Sequence, residues 1–216
     1  MSVLSAGPAP GQPGAADHPS RVEATTLKSL MSALRAHDPY TYRHSQRTVR
    51  LSLLLGRVCG VGAAALRLIG FGAVVHDLGK IFIPGEVLHK EGRLNEEEWE
   101  AIRRHPLDGA RLLLGVSPPP GVSLIVAEHH ERWDGLGYPF GLRGEDIDFN
   151  ARVVAVADAF DAMTSERAYR PAASFKAAAA ELERCAGTQF DPEAALSFLR
   201  APRAEVARIV GLDPRT

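Results

Sequence analysis

Cysteine is scarce in this 216-residue sequence: only Cys59 and Cys185 occur, far apart and without a C-x-x-C pair. That excludes a disulfide-stapled secreted scaffold and a thiolate metal knuckle, and it fits a reducing compartment. Absent too is any apolar run near the roughly 18 residues that a membrane helix needs, and no basic segment followed by an apolar core opens the chain. Neither a membrane span nor a signal peptide is expected. Charge of one sign is also lacking, since 25 Lys and Arg face 26 Asp and Glu for a net charge of -1. A chain that coats nucleic acid through bulk charge carries a marked basic excess, so DNA is not an expected partner. Sustained strand-like alternation is missing as well. What remains is a chain with 45% hydrophobic residues, enough for one large core, and its expected location is the cytoplasm.

Positions 1–20 are rich in Ala, Gly and Pro with almost no large apolar residue. They cannot bury enough surface to offset the entropy of ordering, so a disordered tail is expected there and a single domain over 21–216. From Arg21 onward the apolar spacing is helical, beginning with Val22, Leu27, Leu30, Met31 and Leu34. Asp38 followed by Pro39 reads as an N-cap and first helical residue, opening a helix that carries His44. The stretch "AALRLIGFGAVVHDLGKIFIP" reads as a buried helix ending near Gly79. In "LNEEEWEAIRRHP", Asn95 and Glu98 form a capping box with Leu94 and Trp99 as a staple, and a separate segment follows from Arg111 to Leu114. The next helix, "VSLIVAEHH", delivers His129 and His130 to a Gly-rich loop. Beyond that loop lie "ARVVAVADAFDAMTS", "SFKAAAAELERCAG" and a last helix capped by Asp191. The expected fold is all-α, with roughly seven to nine helices and no internal repeat.

Five of the eight histidines fall close to Asp or to one another: His44, His76 beside Asp77, His105, and the pair His129 and His130. Asp158 joins them, because its neighbours Val153, Val154, Val156, Ala157 and Phe160 are apolar and a carboxylate there needs a partner. Imidazoles with a few carboxylates and no thiolate suit iron, manganese or zinc rather than magnesium or calcium. An aspartate between two such ions can bridge them and help to activate a hydroxide. The dipeptide His-Asp also occurs at His37-Asp38, where Pro39 makes Asp38 a cap and leaves His37 as an expected surface residue. Lys80 stands four residues after His76 and, in a continuous helix, would share its face.

The ordered series of His44 in "HSQRTV", "HDLGKI", "RRHPLDGA", "HHERWDGLGYPFGLRGE", "ARVVAVADAFDAMTSERAYR" and "GTQFDP" resembles the HD-GYP domain, a branch of the HD-superfamily metal phosphohydrolases. The resemblance covers about Arg21 to Leu199, and a stand-alone module without an attached sensor or receiver domain is the expectation. It implies a helical domain that hydrolyses cyclic di-GMP to linear pGpG, onward cleavage to GMP being left open. It further implies that His44, His76, Asp77 and Asp158 hold one divalent transition-metal ion, with iron or manganese favoured. His105, His129 and His130 would hold a second, with Asp77 between the two.

Lys80 matches a lysine that faces the scissile phosphate, Arg167 and Arg170 match phosphate-binding positions, and Gly137-Tyr138-Pro139 would shape the cleft mouth. Each of these has a plainer reading: Lys80 as a partner of a helix C-terminus, the two arginines as surface ion pairs with Glu166 or Glu181, Tyr138 as turn packing. Tyr40 occupies a position where some members carry a glutamate that accompanies a third metal, and a phenol is a poor ligand at neutral pH, so two ions are expected. Another nucleotide substrate, or a non-catalytic module that senses cyclic di-GMP, are the rival readings. Regulation would come from a protein partner or a homodimer.

Overall fold

The computed structural model of the protein describes residues 21–166 and 171–215. The tail expected over 1–20, Arg167 and Arg170 lie outside the described residues. Among the described residues ten α-helices follow one another: α1 (Arg21–His37), α2 (Pro39–Val58), α3 (Ala63–Val75), α4 (Gly85–Leu88), α5 (Glu96–Leu114), α6 (Val122–Glu128), α7 (Phe149–Thr164), α8 (Phe175–Cys185), α9 (Pro192–Arg200) and α10 (Arg203–Val210). Short 3-10 turns stand at Leu78–Phe82 and Gly144–Asp146. The all-α expectation holds; the count exceeds it because α4 is a single turn that no apolar periodicity announces, and because the helix capped by Asp191, expected to be the last, is followed by α10. Among the described residues the only β feature is an isolated bridge between Ala186 and Phe190.

Two local signals act as read. Asp38 Oδ1 accepts from the Tyr40 amide with Pro39 in the first turn of α2, and Asn95 and Glu98 close a reciprocal capping box at the start of α5. α2 packs on α3 and α7, and Leu51, Leu55, Ile69, Val153, Val154 and Phe160 are buried where they meet. A second apolar cluster of Val75, Leu78, Leu113, Val122 and Val126 lies under α3, α5 and α6. Each such buried side chain contributes about 1.5–3 kcal/mol relative to exposure.

Three expectations are corrected. The buried helix does not run to Gly79: α3 ends at Val75, His76 caps it, and the chain tightens into the 3-10 turn. Gly79 is therefore not a helix terminator. A Cβ there would stand 2.0 Å from the His105 carbonyl oxygen and 2.5 Å from the Gly109 amide nitrogen, so glycine allows the turn to press against α5. Second, Arg111 to Leu114 is not a separate segment: α5 continues through Pro106 to Leu114. Third, His37 is half-buried, with Nε2 3.1 Å from the Ile83 carbonyl oxygen, which ties the end of α1 to the chain beyond the 3-10 turn.

Candidate metal centre

Five helices deliver one side-chain cluster: His44 from α2, His76 and Asp77 just past the end of α3, His105 from α5, His129 and His130 just past the end of α6, and Asp158 from α7. Two groups of ligand atoms, His44-His76-Asp77 and Asp77-His105-His129-His130, each lie within 4.8 Å of one another and share Asp77. Asp158 Oδ1 stands 2.7 Å from His44 Nε2 and 3.8 Å from His76 Nε2. All seven residues singled out from the sequence are therefore brought together.

The backbone fixes how the histidines present themselves. His76 Nδ1 lies 2.9 Å from the Ala73 carbonyl, His105 Nδ1 2.6 Å from that of Ile102, and His129 Nδ1 2.7 Å from that of Val126. A carbonyl oxygen only accepts, so Nδ1 carries the proton in all three and a neutral ring offers its Nε2 lone pair to the centre. Pro106 matters here: it has no N–H to give the Ile102 carbonyl, which leaves that oxygen to His105.

Asp161, which the sequence reading passed over, does the same for His44. Its Oδ2 is 2.6 Å from His44 Nδ1, while Arg47 donates to both its oxygens at 2.6 and 2.9 Å and Ser165 donates at 3.2 Å. Its sequence signal was available: Asp158 and Asp161 lie three apart in an apolar helix, and both carboxylates need partners.

Several features fit a cation. His76 Nε2 and Asp77 Oδ1 are buried without a hydrogen-bond partner, although Asp77 Oδ1 is only 3.3 Å from His105 Nε2. His105 Nε2 and His129 Nε2 are 3.3 Å apart, and with both protons on Nδ1 these lone pairs face each other unrelieved. Burial works against a charge on Asp77, yet the Lys80 ammonium beside it holds its carboxyl well below the usual range. Asp158 is lowered too, against burial, chiefly by His44.

Burial, then the neighbouring histidines, drive His129 well below its ordinary value, and burial with His105 pushes His130 down to about 3. Burial alone would depress His44, but its hydrogen bonds to Asp158 and Asp161 outweigh this and raise it to about 9. A cation held by His44 and Asp158 would displace the proton between them. Ionised carboxylates beside mostly neutral imidazoles make a donor set suited to a divalent transition metal.

Lys80 does not share a helical face with His76, because the helix has already ended. Its ammonium sits 2.7 Å from Asp77 Oδ2, on a side chain that is 21% exposed. The loop after His130 is organised by Glu131, a buried carboxylate that accepts from the amides of Phe140, Gly141 and Leu142. At Gly137 a Cβ would come within 2.3 Å of the Arg132 nitrogen, so only glycine fits. Tyr138 then stacks on His130 with ring centroids 4.9 Å apart. The "GTQF" stretch backs this loop, its Thr188 and Gln189 carbonyls accepting from the Asp134 and Trp133 amides. A cavity of about 830 Å³ opens here, with His129, His130, Asp158 and Tyr138 in its lining, a size in the usual range for small-ligand sites.

A model of the HD domain matches residues 28–194. The cyclic di-GMP phosphodiesterase response regulator RpfG of Xanthomonas campestris is 41% identical over 88% of the chain, covering 50% of that protein. A cyclic di-GMP phosphodiesterase of Thermotoga maritima is 38% identical over 82% of the chain and 48% of its own length. The 3'3'-cGAMP-specific phosphodiesterase 3 of Vibrio cholerae is 34% identical over 77% of the chain and 36% of its own length. The chain thus spans about half the length, or less, of these curated relatives. Among solved structures, Bd1817, an HDG"Y"P protein from Bdellovibrio bacteriovorus, shares the fold with a TM-score of 0.63 at 22% identity, over 82% of this chain and 60% of that one.

Proposed function

The chain belongs to the HD-domain family, in its HD-GYP branch, and we propose that it is a metal-dependent phosphodiesterase that opens cyclic di-GMP to linear pGpG. The observation that carries the reading is the pair of orphaned buried atoms, His76 Nε2 and Asp77 Oδ1, set among histidine nitrogens that all point their lone pairs inward. His44, His76, Asp77 and Asp158 would hold one ion and His105, His129 and His130 the other, with Asp77 common to both; iron or manganese fits the donors. Such ions would supply Lewis acidity toward the phosphate and a lowered pKa for a water nucleophile. The chain's own residues do the rest. Asp77 and Asp158 stay ionised, Asp161 orients His44, and Lys80 beside Asp77 binds a non-bridging phosphate oxygen or meets the departing ribose 3'-oxygen. Gly137-Tyr138-Pro139 confines the ligand at the cavity mouth.

Relatives named for 3'3'-cGAMP favour a second reading, in which a mixed cyclic dinucleotide is the substrate. No described helix is long and apolar enough to cross a membrane, in keeping with a cytoplasmic chain acting on a soluble messenger and regulated by a partner protein or a second copy. The test is turnover of cyclic di-GMP and 3'3'-cGAMP by metal-loaded protein, products being resolved by chromatography, with Asp77→Ala beside it. Hydrolysis that is lost on chelation and in the variant is expected. Full turnover by Asp77→Ala with unchanged metal content would sink the assignment.

A further inference from the structure

We propose that Arg103 and Trp99, one turn apart on α5, form the subsite that holds the second, unreacting phosphate and one nucleobase of a cyclic dinucleotide. The inference rests on the phosphodiesterase reading and extends it to substrate recognition. A cyclic dinucleotide brings two phosphodiesters, and only one can lie at the metal centre; the other needs a cation elsewhere in the same cavity. Two described arginines line that cavity. Arg132 is already committed, its guanidinium bidentate on Asp134 at 3.0 and 2.6 Å. Arg103 is exposed and, among the described residues, has no carboxylate within ion-pair distance. Its guanidinium lies 5.6 Å from the centre of the Trp99 ring, a cation-π arrangement that leaves its N–H groups available to an anion.

Trp99, which has the spacing of a staple residue at the helix start, is 45% exposed and turned to the cavity that His129, His130 and Asp158 also line. An indole of that exposure, fixed on a capped helix, is a stacking surface for a purine, and base-aromatic stacking does not depend on the identity of the base. The pair would therefore serve cyclic di-GMP and mixed cyclic dinucleotides alike. Base selection would lie elsewhere in the cavity.

The test is steady-state kinetics on the metal-loaded protein with cyclic di-GMP and with methyl 4-nitrophenyl phosphate, a diester with one phosphate and no nucleobase. Arg103→Ala should raise KM for cyclic di-GMP by about tenfold to a hundredfold, the loss of a charge-assisted hydrogen bond, with Arg103→Lys recovering part of it. Trp99→Ala should raise KM by about tenfold, and Trp99→Phe should recover most of that. Kinetics on the small diester should be unchanged in all four variants. Equal losses on both substrates, or an unaltered KM for cyclic di-GMP, would overturn the subsite. An unmodified protein that cleaves the small diester but no cyclic dinucleotide would overturn the function proposed above, and the subsite with it.

Discussion

Replacing Asp161 by Asn tests the idea that the centre depends on a carboxylate which no proposed ligand role requires. Asp161 is fully buried, and its two oxygens serve His44, Arg47 and Ser165 at once. Asparagine preserves the volume and one acceptor, so His44 keeps a partner for Nδ1–H. The other end of the amide then presents an N–H toward Arg47, and the ion pair is gone. Losing one partner of a buried pair costs about 3–5 kcal/mol, but Arg47 is 26% exposed, so water screens the orphaned guanidinium and about 1–2 kcal/mol is expected. Loss of such a supporting partner typically weakens metal affinity by about 10–100-fold, and that loss should appear as ions stripped at lower chelator concentrations.

The pH dependence should change as well. Burial opposes the charge on Asp161, but His44 and Arg47 hold its carboxyl below the ordinary value. Its contribution to stability is therefore present above about pH 4 and lost as pH falls through the lower folded value. Asp161→Asn should lack that part of the acid loss. Thermal unfolding from neutral to acid pH, together with metal content after dialysis against graded chelator, reads both effects. Unchanged metal retention with unchanged acid sensitivity would refute the role given to Asp161.

Gly79→Ala forces a Cβ against the backbone of His105 and Gly109, which cannot yield as a side chain tip can; a loss of about 1–3 kcal/mol in thermal unfolding is expected, together with reduced metal content because His105 moves away from Asp77. Wild-type stability and metal content in that variant would show that the close approach is dispensable. Pro106→Ala should stabilise α5, by up to about 3 kcal/mol on helix propensity, yet lower metal affinity, because the new N–H competes with His105 for the Ile102 carbonyl. A variant that loses stability, or binds metal more tightly, would contradict this account of Pro106.

Much of the fold was legible because its signals are local. Asp38-Pro39 and Asn95-Glu98 act within one turn of their own helices, and apolar spacing identifies the buried faces. The ligand set was legible for a different reason: histidines and aspartates in apolar surroundings are costly, and the sequence placed them in a recognisable order. What was not legible depended on neighbours distant in the chain. Gly79 looks like a helix stop until α5 is seen pressing on it from 26 residues away. Pro106 looks like a break, since nothing local reveals that its missing N–H serves His105. Trp99 has the spacing of a staple residue, and only the packing of α5 beside α6 shows it facing a cavity. Lys80 was misplaced because a 3-10 turn, not an α-helix, carries it.

The positions of the histidines in their helices follow from what helix ends leave unsatisfied. The last four carbonyls of an α-helix have no intrahelical donor. His76 directly follows α3 and His129 directly follows α6, so the free Ala73 and Val126 carbonyls are within reach of their Nδ1 atoms. His105 lies inside a helix, where no carbonyl would be free, and there Pro106 releases one. His44 also lies inside a helix, with no proline behind it, and its Nδ1 turns to Asp161 on the neighbouring α7 instead. The same requirement, an acceptor for Nδ1–H so that Nε2 keeps its lone pair, is met by helix termination, by proline and by a carboxylate. Moving any one of these acceptors would alter which nitrogen is offered to a metal without touching a ligand residue.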